Sequence, residues 1–233
     1  MPVPLIAWGA AAAAAALAGG AWAWLFGRGA GEVPDACRAR VRIWVAGPTG
    51  AGKTSLVAAA LGRAVPDVSP ATAALAWQWR DELPLALADT VGLELARGAR
   101  QVEGVRRLLR RMPASALPHA AWLCVRADAH RVFSGEGGSE AALAAALRAA
   151  RVPAIGVLTQ AEPGEEAAMA DAFRRAVPDL AAVVPLCVRP RIAADGSVLV
   201  ERHGLDRLRA ATIRAVSPVV AERLEREWPP YGW

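Results

Sequence analysis

Apolar positions along the chain fall into two patterns, short uninterrupted runs and longer stretches where they recur at helical spacing. Val41-Arg-Ile-Trp-Val-Ala46 is an apolar run suited to a buried strand, and Leu85 to Ala88, Ala120 to Arg126, Ala154 to Thr159 and Ala182 to Cys187 repeat it. Ala74 to Arg80 reads as one more strand. Between these runs, Ser55 to Leu61, Gln101 to Arg111, Glu140 to Arg151 and Glu165 to Ala176 read as helices, and Gly204 to Glu225 as one long closing helix. Strands alternating with helices in this way predict an α/β fold, a mostly parallel sheet with helices on both faces. In the helix over 101–111, Val102, Val105, Leu109 and Met112 share one side, and Glu103, Arg106, Arg107 and Arg110 another. That face is either solvated, with Glu–Arg pairs three and four residues apart, or a basic patch for an anionic lipid or acidic partner. Arg131 to Ser139, with Gly135, Gly137 and Gly138, reads as an exposed loop.

The first run has a different character. From Leu5 to Phe26 there are 22 residues without a charge, long enough as a helix to cross a hydrocarbon core of roughly 30 Å. Trp8 lies near one end and Trp22, Trp24 and Phe26 near the other, where aromatic rings favour the interface. Arg28, Arg38, Arg40 and Arg42 follow and place the body on the cytoplasmic side. The expected organisation is a transmembrane anchor over 1–26, a linker over 27–40, a globular body over 41–226 and a tail over 227–233, single-pass in the inner (cytoplasmic) membrane. The alternatives are a buried core helix and a cleaved secretory signal, the latter disfavoured because the segment lacks a basic leading region. The tail, Glu227-Trp-Pro-Pro-Tyr-Gly-Trp233, either rests at the membrane interface or docks on its own domain.

Composition narrows the chemistry. A chain of 233 residues with 55% hydrophobic content can bury one full domain. Its alanine and arginine excess makes the net charge of +5 uninformative, and nucleic acid is not indicated. Cys37, Cys124 and Cys187 are odd in number and lack metal-ligand spacing, so they read as reduced thiols. Among 27 basic residues the only lysine is Lys53, in Gly47-Pro-Thr-Gly-Ala-Gly-Lys-Thr54. A compact ammonium on a flexible stem fits between phosphate oxygens where a planar guanidinium does not.

Strand, glycine loop and helix occur here in the order that phosphate binding requires. Backbone N–H groups over Gly47, Pro48, Thr49, Gly50, Ala51, Gly52, Lys53, Thr54 and Ser55 cradle the phosphates, proline apart. Lys53 reaches the terminal phosphates and the Thr54 hydroxyl ligates magnesium. Leu85-Ala-Leu-Ala-Asp89-Thr-Val-Gly92 then puts a carboxylate at a strand tip, as a second magnesium anchor, with the Gly92 N–H toward the terminal phosphate.

GPTGAGKT followed by DTVG resembles the translation-factor-related GTPases, most closely the Era-like and dynamin-like bacterial G domains, over about residues 40 to 215. The resemblance implies a P-loop G domain that binds Mg2+ and GTP or GDP as a switch and hydrolyses GTP, with Lys53, Thr72 and Gly92 at the catalytic centre. It implies that a switch threonine completes the magnesium shell beside Thr54 and Asp89; Thr72 matches best and Ser69 competes. The base-reading element is Thr159-Gln160-Ala-Glu162, where Glu162 can accept from two guanine N–H donors but Gln160 replaces the lysine whose stem covers the base. Cys187-Val188-Arg189 occupies the place of the last family element and supports a backbone contact to the base. Leu93 follows Gly92, where Ras-like enzymes carry a water-orienting glutamine, so slow hydrolysis is expected; the charge of Glu94 makes it a poor substitute. Expected partners are the guanine nucleotide, the lipid bilayer, and a second copy or an unidentified protein effector. Two other readings stay open: a P-loop ATPase or kinase of another branch, using Arg80 or Arg97 as an arginine finger, and a nucleotide-bound membrane scaffold with little turnover.

Overall fold

The strand β1 (Val41–Ala46) lies at the middle of a six-stranded sheet, and all six of its residues are buried. Alternation along β1 sends Val41, Ile43 and Val45 to one apolar cluster and Trp44 and Ala46 to another, as a strand covered on both faces requires. The computed structural model of the chain describes residues 33–66, 75–90, 98–127, 138–162, 164 and 166–232, with 98–101 described by backbone alone. The expected anchor over 1–26, Ser69, Thr72, Gly92, Leu93, Glu94, Arg97 and the loop over 131–137 lie outside these residues.

The short helix α1 (Asp35–Arg38) precedes β1, and α2 (Lys53–Ala60) follows the glycine loop. Next come β2 (Ala76–Trp79), β3 (Leu85–Asp89), α3 (Gly98–Arg111), β4 (Ala120–Arg126), α4 (Ser139–Ala149), β5 (Ala154–Thr159), α5 (Glu166–Ala176) and β6 (Leu180–Pro185). A small hairpin, β7 (Arg191–Ile192) with β8 (Val198–Val200), leads to α6 (Leu205–Ala215) and α7 (Pro218–Glu227). Strand order is β2-β3-β1-β4-β5-β6, parallel except for β2, which runs antiparallel to β3. On one face α2, α6 and α7 bury Leu56, Val57, Leu208 and Leu224 against the sheet; on the other α3, α4 and α5 bury Val105, Leu109, Leu147 and Phe173. The mostly parallel sheet with helices on both faces is the architecture that the alternation predicts.

Two expectations are corrected here, and one element is new. The closing helix is two, because Pro218 has no N–H to continue the ladder and holds Ser217 extended, with ψ 152°. Pro218 then opens α7, where its fixed φ suits a first helical turn. The linker expected over 27–40 is in part folded, since Val33 and Cys37 are buried against Ala86 beside Trp77 and Trp79. The β7–β8 hairpin was not expected; its turn is held by Asp195 Oδ1, which accepts from Ser197 N at 2.9 Å and Ser197 Oγ at 2.7 Å.

The tail docks on its own domain. Trp228 is 1% exposed, its Nε1 donates to Tyr231 Oη at 2.7 Å, and that hydroxyl donates to Ala60 O at 2.7 Å, at the end of α2. Asp206 accepts from the N–H groups of Tyr231 and Gly232 at 2.7 and 2.8 Å. All three cysteines are free and buried. Among the described residues no helix is long and apolar enough to cross a membrane.

Candidate nucleotide site

Strand order, not strand direction, reverses at β1: β3 lies on one side of it and β4, the next parallel strand in sequence, on the other. In open α/β sheets ligands bind at such a switch point, beyond the carboxyl ends of the strands. The glycine loop leaves β1 there. Gly47 has φ +148°, and a Cβ on it would lie 2.2 Å from Cys124 O, so the loop crosses β4 at backbone contact that only glycine permits. Gly50 and Gly52 follow at φ +77° and +74°, and a turn closes between them through Ala51 N to Pro48 O at 3.2 Å. Gly52 leads directly into α2 with no side chain capping that helix. Its first N–H groups and positive dipole end therefore meet the loop concavity, an arrangement suited to phosphate oxygens.

Lys53 is 6% exposed and curls back into the loop, its Nζ donating to Gly47 O at 3.1 Å and Pro48 O at 2.9 Å. The Thr54 hydroxyl donates to Asp89 Oδ2 at 2.7 Å, joining α2 to the end of β3. These are the two described residues expected to hold magnesium, and the structure brings them together. Their donors are hard oxygens, the set that Mg2+ takes alongside waters and substrate phosphates. Among the described residues there is no cluster of three or more His, Cys, Asp or Glu side chains that would enclose a cation by itself. Thr90 folds inward after Asp89, its hydroxyl and N–H both donating to Val45 O at 3.0 and 3.1 Å, which ties the expected second switch to β1. Beneath the loop, burial pushes the Cys124 thiol up to about 12, opposed by the charge of Lys53 and assisted by that of Asp89. Cys124 is therefore a protonated filler under the loop.

The expected base-reading element behaves differently residue by residue. Thr159 is 2% exposed, and its hydroxyl donates to Ala51 O at 2.9 Å, with Val125 O at 3.3 Å. It fastens the glycine loop to β5, a role that the motif alone did not reveal. Gln160 is exposed with φ +56°, and Ala161 N donates to Leu186 O at 3.1 Å, stitching this loop to the segment after β6. Glu162 forms an ion pair with Arg191 of the hairpin. In the Cys187-Val188-Arg189 element, from which a backbone contact to the base is expected, Cys187 N donates to His203 O at 3.0 Å, while His203 N donates to Cys187 O at 2.9 Å. Backbone pairing thus commits Cys187 to the hairpin; the Val188 side chain is buried.

Arg191 and His203 were missed because they sit in a hairpin whose short strands carry no periodic signal. Arg80 is corrected as an arginine finger: its guanidinium donates to Leu61 O at 3.2 Å and pairs with Glu82, at the far end of α2 from the loop.

No protein-family model matches the chain, and no curated protein matches it. Among solved structures, the fold is similar to a probable GTP-binding protein EngB at 14% identity and TM-score 0.49, over 78% of this chain and 99% of that one. It is also similar to Toc33 from Arabidopsis thaliana in complex with Mg2+ and GMPPNP, at 17% identity and TM-score 0.48, over 76% and 85% of the two chains. A third is a GTP-binding protein from the hyperthermophilic archaeon Sulfolobus solfataricus in complex with GDP, at 16% identity and TM-score 0.45, over 78% of this chain and 53% of that one.

Proposed function

We propose that this chain is a membrane-anchored nucleotide switch that binds Mg2+ with GTP or GDP and hydrolyses GTP slowly. One observation carries the reading: the glycine loop, with Lys53 buried in it, meets the Thr54–Asp89 hydrogen bond of 2.7 Å at the switch point of a parallel sheet. Phosphate arrival gives Lys53 a charged partner in place of the Gly47 and Pro48 carbonyls, and charge-assisted contacts are about twice as strong as neutral ones. Mg2+, when bound, neutralises charge between the phosphates. Thr54 and Asp89 would hold it, and in this reading Thr72 joins them in the triphosphate state.

Guanine is the base this reading favours, because the carboxylate of Glu162 can accept two N–H donors that adenine does not offer together. Slow turnover follows from Leu93, whose side chain cannot orient a water. The uncharged run over Leu5 to Phe26 supplies the anchor, with the body in the cytoplasm.

The experiment is nucleotide titration of the full chain, purified in detergent and stripped of ligand. GTP is expected to bind at least tenfold more tightly than ATP, and Lys53→Ala to abolish binding of both. Equal affinity for the two nucleotides would remove the guanine assignment, and binding undiminished in Lys53→Ala would remove the phosphate-loop assignment as well.

A further inference from the structure

We propose that Arg191 is a positioning residue for base selection: its guanidinium fixes the Glu162 carboxylate, so that a glutamate can read the paired N–H donors of guanine. This rests on the guanine reading above and adds to it a residue from outside the expected motif. A glutamate carries its carboxylate on one more rotatable bond than an aspartate, and holding it still costs rotamer entropy. Arg191 Nη1 contacts Glu162 Oε1. A carboxylate has about four lone-pair positions, so one contact from the side leaves acceptors on both oxygens for two base N–H groups.

The backbone builds this juxtaposition. Leu186 N donates to Leu158 O at 2.8 Å and Ala161 N to Leu186 O at 3.1 Å, so the 159–162 loop and the segment after β6 are tied to each other through Leu186. The two-way pairing of Cys187 with His203 closes the base of the hairpin that carries Arg191. Gly204 ends that excursion at φ +88°, where a Cβ would lie 2.4 Å from Pro185 O. Glu166 adds a brace, 3.7 Å from His203 Nε2 and 3.9 Å from Arg207 Nη1. Gln160 brings no charge to this end of the site, and Arg191 supplies the cation there.

Magnitude separates orientation from a closing latch. The two side chains are 49% and 44% exposed, and a pair so open to solvent shifts an equilibrium by about fivefold at most. That is too little to keep a nucleotide out and enough to tune which base is kept.

The test measures GDP and ADP affinity of the full chain in detergent by fluorescent-nucleotide titration, with thermal melting as the fold control. Arg191→Ala is expected to weaken GDP about fivefold and leave ADP unchanged, and Arg191→Lys to recover part of the loss. In a Glu162→Ala background, Arg191→Ala is expected to add nothing. A wild type that prefers GDP, with Arg191→Ala keeping the same GDP-to-ADP ratio or binding GDP more tightly, overturns the role of Arg191 alone. A wild type with no preference overturns the guanine reading and this role together. If Arg191→Ala melts early, Arg191→Lys decides, since a folded lysine variant with full loss of discrimination contradicts charge-based positioning.

Discussion

Thr159 shows how far a residue's identity in a motif can stand from its work. Sequence placed it at the start of the base-reading element, yet its buried hydroxyl binds Ala51 O at 2.9 Å and so holds the glycine loop from beneath. The loop itself was legible because its chemistry is contiguous: glycines, lysine and threonine at fixed offsets need no distant partner to be recognised. Thr159 was half legible, since the residue type fits but the acceptor comes from another element. Replacing it by valine keeps the volume and removes the donor, leaving buried carbonyls without it. Thr159→Val is expected to cost about 1–2 kcal/mol in urea unfolding and to weaken every nucleotide alike, whatever the base. Thr159→Ser, which keeps the donor, is expected to restore most of both. A valine variant that loses GDP affinity but not ADP affinity would return Thr159 to the base-reading role.

At the scale of elements, burial decides what could be read. β1, β4 and β5 begin and end where the apolar runs do, because they lie inside the sheet and both of their faces are covered. β6 is an edge strand, half exposed, and lies at Leu180–Pro185 rather than at the expected Ala182 to Cys187. Its end gives way to the Cys187–His203 pairing, a contact across the hairpin that a local pattern cannot encode. The break between α6 and α7 was legible in Pro218 and was overridden by the helical spacing on either side of it. That break turns α7 back so that Trp228 reaches the core and Tyr231 caps the end of α2 through Ala60 O. Trp228→Ala is therefore expected to cost about 3–5 kcal/mol, measured by urea denaturation of the full chain in detergent. A loss below about 1 kcal/mol would mean that the tail is only laid on the surface.

Over the whole molecule, the candidate site belongs to no single segment. The glycine loop follows β1, β3 supplies Asp89, β5 and the loop after it supply Thr159 and Glu162, and the hairpin after β6 supplies Arg191, so a ligand that bridges them would hold both halves of the sheet. Such a ligand binds the folded chain and not the unfolded one, and mass action then converts affinity into stability. On the proposed reading, Mg·GDP at a free concentration of about 100 times Kd is expected to contribute roughly 2.7 kcal/mol. For a domain of this size that is a rise in Tm of roughly 5–10 °C. The same measurement assigns the parts. Chelating Mg2+ with EDTA is expected to reduce the shift, because Thr54 and Asp89 would hold the cation that offsets phosphate charge, and Lys53→Ala is expected to remove it. Asp89→Asn keeps the size of the side chain while removing its charge; its shift with Mg·GDP is expected to fall to that seen with GDP and EDTA. If Asp89→Asn keeps the full shift while EDTA still lowers it, the cation is held elsewhere and the pairing of Thr54 with Asp89 is only structural.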